Sequence, residues 1–252
     1  MLHGQRVLAI VPALDEAPRI ARVIETMPAF VDRIIVVDDG STDDTIAVAR
    51  GAKTAGAAVD VLAHARRSGV FAAIATGYRH ALAEDVGLTD PARDRDAFVV
   101  LAGDGQMEPA DVEAVVTPIV TGAAGYVKGD RFVGDGGAEM PLARRVGGKL
   151  FSRLTTAVVG AGVHDSQCGF TAIARSACAR LDLGAVWPGF GYPNDLLAML
   201  VRERISFVEV PVRSRYRDEV SRLRATNVVV IAGFVLPRAF ARRAASFGRR
   251  LA

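Results

Sequence analysis

The chain has 252 residues, half of them hydrophobic and 23% charged, so a sizeable core is available and wholesale disorder is excluded. The net charge of +3 is uneven: residues 213–252 hold ten arginines against Asp218 and Glu219, a local +8 that leaves −5 for residues 1–212. Cys168 and Cys178 form no CxxC pair and fit no zinc spacing, which excludes a disulfide framework and points to a reducing compartment.

The N-terminus enters the strand-like run Val7–Val11 without the charged, apolar and small-residue regions of a signal peptide. Arg33–Val37, Val59–Ala63 and Ala97–Leu101 are further short runs rich in Val, Ile and Leu, the pattern of parallel strands buried on both faces. Between them Ile20–Met27, Thr45–Ala55 and Val70–Ala83 have helical periodicity. Strands alternating with crossover helices predict an α/β, doubly wound sheet that takes its ligand at the carboxyl ends of the strands. Beyond a Gly-rich loop at Gly134–Gly137, the sequence predicts a helix over Ala143–Val159, a polar knot at 164–169, a strand near Phe170–Ala174, a helix around Asn194–Arg204 and a final strand at Ser206–Val212. Residues 1–212 therefore read as one domain and 213–252 as a basic, helical C-terminal segment. Its apolar run Val228–Leu236 is far short of the roughly 20 residues that cross a bilayer.

Three strand ends carry acids. After the first, Val11-Pro12-Ala13-Leu14-Asp15-Glu16-Ala17 sets a proline-aimed loop before a helix, where either acid could cap. After the second, Val37-Asp38-Asp39-Gly40-Ser41-Thr42-Asp43-Asp44 places Ser41 and Asp44 in capping-box spacing. Capping leaves Asp38 and Asp39 unexplained, since adjacent carboxylates beside a buried strand repel unless something donates hydrogen bonds to them. After the fourth, Ala102-Gly103-Asp104-Gly105-Gln106 offers a carboxylate and an amide oxygen between glycines that admit close approach, a pair suited to a hard divalent cation shared with a diphosphate.

In chain order, VPALDEA, VVDDGSTDDT, AGDGQMEP, KGDRF, MPLARRVGG, DSQCGFTAI and GYPNDLL resemble the family 2 glycosyltransferases of GT-A fold, and within them the polyprenyl-phosphate sugar transferases similar to dolichyl-phosphate mannose synthase. The match runs from about residue 6 to 224. It implies a mostly parallel central sheet with helices on both faces, and inverting transfer from a UDP- or GDP-sugar with Mg²⁺ or Mn²⁺. Pro12, Leu14 and Glu16 match the loop that holds base and ribose, Val37 and Asp39 the contact to the base, and Arg67, with Arg66, a loop beside the nucleotide. Ala102, Gly103 and Asp104 match the acidic motif, with Asp104 and Gln106 as metal ligands. Ala102 departs from the usual first Asp, which implies altered donor recognition. Arg131 matches an arginine facing phosphate, and Arg217 and Arg222 are further candidates.

Asp165 and Asp195 are the candidate catalytic acids of the acceptor side, with Asn194 or Asp195 as the alternative helix cap. A polyprenyl phosphate is already anionic and needs little base; a glycan or other hydroxyl acceptor would need Asp195 or Asp165 as general base. His164 is set aside as a dyad partner of Asp165 because adjacent strand residues face opposite ways, and His3, His64 and His80 have no ligand spacing. The basic tail, with Val228–Leu236, Phe240 and Phe247, reads as a segment lying on an anionic membrane surface, which makes the protein cytoplasmic and peripheral on the inner face. No nucleic-acid module accompanies the charge. Two other classes stay open: an aspartyl phosphohydrolase, whose acid spacing and downstream lysine are missing, and a sugar-nucleotide binding protein with little turnover, suggested by Ala102.

Overall fold

The computed structural model describes residues 1–83, 90–133, 140, 142–215 and 230–248. Its centre is β1 (Val7–Ala13), whose seven residues are all buried, as befits a strand flanked on both edges. β2 (Arg33–Asp38) and β4 (Ala97–Val100) pair with it in parallel, and β3 (Ala58–Ala63) continues in parallel beyond β2. Each fully buried Val or Ile in these strands contributes about 1.5–3 kcal/mol. Pro12 is tolerated in a central strand because the β1–β4 ladder ends at Ile10 and Val100, before its missing N–H is needed.

The crossover helices are α1 (Ala17–Glu25), α2 (Thr45–Gly51) and α3 (Val70–Ala83), and α4 (Val112–Val120) follows β4. Past α4 the direction changes. β5 (Tyr126–Asp130) was not expected as a strand, since buried Lys128 and Asp130 break its apolar pattern. After α5 (Leu142–Val159), β6 (Thr171–Ala174) inserts antiparallel between β4 and β5. β7 (Phe207–Pro211) then pairs in parallel with β5, giving the seven-stranded order β3-β2-β1-β4-β6-β5-β7. The expected mostly parallel α/β sheet is present, with β6 as its antiparallel member. The short α6 (Arg175–Ala179), α7 (Tyr192–Arg202) and α8 (Leu236–Gly248) complete the described α-helices, and α8 packs on α7 and α5.

Three expected caps do not form. Asp44 and Glu16 precede α2 and α1 with no side-chain cap bond, and α7 begins at Tyr192 after Gly191 in a left-handed conformation, which places Asn194 and Asp195 inside its first turn. Asn194 instead lies in the helix–helix contact, where its Oδ1 meets the Thr155 hydroxyl at 2.8 Å.

The approach of α3 to the sheet depends on Gly77, whose missing Cβ would stand 2.4 Å from Ile10 Cγ2 and 3.4 Å from Val37 Cγ2. Gly77→Ala should therefore destabilise the protein by about 1–3 kcal/mol in urea unfolding, although alanine is the better helix former by about 1 kcal/mol.

Candidate active site

Parallel pairing of β1 with β2 and β4 delivers the three acidic loops to one end of the sheet, and hydrogen bonds lock them together. Gly103 N donates to Pro12 O at 3.0 Å, and Asp39 N donates to Ala13 O at 2.8 Å. A Cβ at Gly103 would meet Ile20 Cδ1 at 2.9 Å and Ala13 Cβ at 3.2 Å, so glycine is what lets the β4 loop lie against the β1 loop. Asp15, at φ 52°, accepts from Thr42 N at 2.8 Å, while its own N donates to Ser41 Oγ at 2.8 Å.

The donors required by Asp38 and Asp39 are present. Asp38 accepts from Gly40 N, Ser41 N and the Ser41 hydroxyl, which occupies Ser41 and accounts for the absent capping box. Asp39 is 4% exposed and accepts from Ser68 N and Gly69 N, each at 2.8 Å, and from His64 Nδ1 at 2.9 Å. His64 Nε2 in turn meets Thr76 Oγ1 at 3.0 Å. His64 is a site residue that sequence reading missed. Its signal lay in strand register: β2 and β3 pair Asp38 with Ala63, so the next residues, Asp39 and His64, emerge side by side.

Glu16 is 4% exposed, bonded to Arg19 Nη1 at 3.0 Å, and its N donates to Thr45 Oγ1 at 2.8 Å. Leu14 is half-buried in the same loop, and Arg67 is exposed on the loop whose backbone abuts Gly40. Val37 is fully buried against Gly77, so its side chain belongs to the core.

Asp104 is half-buried between Gly103 and Gly105, and its Oδ1 accepts from Gln106 N at 3.0 Å. Ala102 contributes a half-buried methyl, with its N directed at Met107 Sδ, 3.4 Å away. No group of three or more His, Cys, Asp or Glu side chains converges for a metal among the described residues. A single carboxylate with a neighbouring amide nonetheless fits a hard divalent cation that completes its octahedron with substrate phosphates and water. Residues 213–215 close over this loop: Arg215 N donates to Gln106 O at 2.9 Å, Arg215 pairs with Glu108, and Arg213 grips Asp111 through Nε at 2.9 Å. Arg217 and Arg222 lie outside the described residues.

On the other side of β4, Arg131 presents Nε and Nη2 to Asp165 at 2.7 and 2.9 Å. Burial raises the Asp165 carboxyl, but the hydrogen bonds and charge of Arg131, with the charge of Lys128, outweigh it and hold the group below the usual carboxylate range. Lys128 is wholly buried on β5, bonded to the Cys168 carbonyl, and burial lowers its pKa. Glu209 of β7 holds the knot from below through His164 N at 2.7 Å and Asp165 N at 2.9 Å.

Asp195 is fully buried and its oxygens are taken by Arg242 Nε at 2.6 Å, Arg238 Nε at 3.2 Å and Trp187 N at 2.9 Å. Asp165 and Asp195, the candidate general bases, are thus each a buried carboxylate bound by arginine. The basic tail is described only in part. Its described arginines, 213, 215, 238, 242 and 243, all bond within the chain, Arg243 to Ala157 O at 2.8 Å.

The description Glycosyl transferase family 2 matches residues 8–182. The UDP-N-acetylglucosamine–dolichyl-phosphate N-acetylglucosaminyltransferase of Methanococcus voltae is 28% identical over 235 residues, covering 88% of this chain and 90% of that protein. The polyprenol monophosphomannose synthase of Mycolicibacterium smegmatis is 29% identical over 237 residues, covering 89% and 83%. Among solved structures, glucosyl-3-phosphoglycerate synthase from Mycobacterium tuberculosis, in complex with Mn²⁺, UDP-glucose and phosphoglyceric acid, superposes with a TM-score of 0.65 at 22% identity over 96% of this chain and 80% of that one, a likeness of fold. With acid-bearing loops at the ends of β1, β2 and β4 and a family match over more than half of its length, the chain belongs to glycosyl transferase family 2 and is a glycosyltransferase.

Proposed function

We propose that this enzyme transfers a sugar, with inversion, from a nucleoside-diphosphate sugar to a polyprenyl phosphate. The observation that carries the acceptor class is the fate of the two acceptor-side carboxylates. A hydroxyl acceptor needs a base with an accessible lone pair, whereas both Asp165 and Asp195 are at most 1% exposed and bound by arginine. A phosphate monoester arrives ionised and needs no such base. The names of the relatives from M. voltae and M. smegmatis, with their lipid-phosphate acceptors, support the same reading.

The donor would sit across the ends of β1, β2 and β4. Pro12, Leu14 and Glu16 shape the wall for base and ribose, and Asp39 fixes the backbone of the loop that carries Arg67. Asp104, with Gln106, would hold Mg²⁺ or Mn²⁺ against the diphosphate; related folds are solved with Mn²⁺ and UDP-glucose or with Mg²⁺ and UDP. When bound, the cation neutralises charge gathering on the leaving diphosphate. Arg131, 16% exposed and turned by Asp165, holds a fixed guanidinium beside the acceptor end of β5, where it attracts and orients an anionic phosphate without reorganising at the moment of reaction. Ala102 removes one acidic contact to the donor and leaves the Asp104 loop intact, which supports changed donor preference.

Thermal-shift screening of UDP-, GDP- and dTDP-sugars with either cation should find one nucleotide that stabilises the fold, and transfer assays should then show product with polyprenyl phosphate but not with a glycan hydroxyl. Efficient transfer to hydroxyls alone would overturn the acceptor assignment. Asp104→Ala should lower metal-dependent transfer about a hundredfold or more with an unchanged melting temperature.

A further prediction concerns pH. The folded-state pKa of Asp165 is depressed, so the stability contributed by its pair with Arg131 is present above the unfolded value of about 3.9 and is lost as pH falls through the folded one. Asp165→Asn should cost about 3 kcal/mol in urea unfolding at neutral pH, and the difference from wild type should close as the pH drops below about 4.

A further inference from the structure

Among the described residues, the carboxylate of Asp39 has one acceptor position left. Its Oδ1 accepts from Ser68 N at 2.8 Å and from His64 Nδ1 at 2.9 Å, and its Oδ2 accepts from Gly69 N at 2.8 Å. Each carboxylate oxygen takes two hydrogen bonds, so the open position is on Oδ2. The side chain keeps 6% of its surface exposed, too little for a ligand to reach both oxygens. His64 is the group that closes Oδ1. An ionised carboxylate only accepts, so Nδ1 carries the ring hydrogen, and Nε2 of the neutral ring is left to accept from Thr76 Oγ1, 3.0 Å away on α3. The loop that carries His64 is pinned on both sides. A Cβ at Gly40 would stand 2.8 Å from the carbonyl carbon of Arg66 and from Arg67 N, and one at Gly69, where φ is 109°, would stand 2.6 Å from Pro188 O.

We infer that His64 is a specificity-determining residue: by occupying Oδ1 it restricts Asp39 to one N–H of the donor's base, so that the site takes a base with a single imino N–H, uracil or thymine, in preference to guanine. The inference rests on the placement of the donor across the ends of β1, β2 and β4 proposed above and adds the base to it. Guanine carries its imino and amino N–H groups side by side, a pair that suits one acceptor position on each oxygen of a carboxylate. With Oδ1 occupied, one of the two would be buried without a partner, the kind of loss by which a polar site rejects a near fit. Uracil and thymine carry one imino N–H between two carbonyls. That N–H matches the single position on Oδ2. The flanking carbonyls are acceptors and match cations: Arg66 and Arg67, on the same loop as His64, are exposed and in no salt bridge among the described residues.

The test is titration calorimetry of the full chain with UDP, dTDP and GDP in the presence of Mg²⁺ and without acceptor. Wild type should bind UDP or dTDP at least about tenfold more tightly than GDP, and comparison of the first two separates uracil from thymine. His64→Phe keeps a ring of similar size and removes its N–H. It should weaken binding of the preferred nucleotide and shrink its advantage over GDP at least about fivefold, the loss of one hydrogen bond to a charged group. His64→Asn gives up the ring and keeps an N–H within reach of Asp39, so it should hold the ratio near that of wild type. A residue that only supported the fold would, when replaced, weaken all three nucleotides alike and leave the ratio unchanged. That result in a His64→Phe protein with wild-type circular dichroism would overturn the inference. So would tighter binding of GDP than of UDP and dTDP by wild type, a comparison that decides even where a variant does not fold. GDP preference together with transfer to polyprenyl phosphate would leave the proposed function standing without this base; UDP or dTDP preference with no transfer to polyprenyl phosphate would do the reverse. Binding of none of the three would overturn both.

Discussion

Parallel pairing forces the loops after β1, β2 and β4 to leave the sheet at the same end, and there the chain must satisfy many backbone N–H groups that no ladder can take. Carboxylates accept them. Asp38 takes two backbone N–H groups of its own turn, Asp39 takes two from the loop after β3, and Asp15 reaches across to Thr42. An ionised carboxylate is the acceptor suited to this work, because its bonds to N–H groups are charge-assisted and it has room for several. The acids that look like a ligand set in the sequence are therefore first of all the framework of the cleft. Asp104, whose Oδ1 accepts from Gln106 N at the rim, is the acid set toward donor and cation in the reading we favour.

The acceptor half is organised by arginine instead. Arg131 with Asp165, and Arg238 and Arg242 with Asp195, are pairs whose carboxylate is at most 1% exposed. Removing one partner of such a pair leaves a buried charge, so each pair fixes its elements firmly even where its net contribution to stability is small. The consequence reaches function. The C-terminal helix packs behind α7, and Arg131 is held in place by Asp165, which in the reading we favour is not a base.

Much of the architecture could be read from local pattern. The apolar runs of β1 to β4 and the period of α3 are statements about neighbours in sequence, and burial of those faces follows directly. Where polar residues are buried the pattern misleads. β5 went unrecognised because Lys128 and Asp130 face inward, and His64 looked inert because its partner, Asp39, lies 25 residues away. The caps expected at Ser41 and Asn194 fail for the same reason: each side chain has a better partner supplied by the fold.

The sequence by itself determined the α/β class, the positions of the acid-bearing strand ends and, through its ordered motifs, the glycosyltransferase family. Which acids stay available to a ligand was decided only by tertiary structure. Arg131 reaches Asp165 across 34 residues and Arg242 reaches Asp195 across 47, and whether a charge is neutralised depends on distance in space, which sequence separation does not set. The same holds for the cations. Ten arginines in the tail drew attention by number, yet each of those described bonds within the chain, while Arg145, Lys149 and Arg153 of α5 are exposed and form no salt bridge among the described residues.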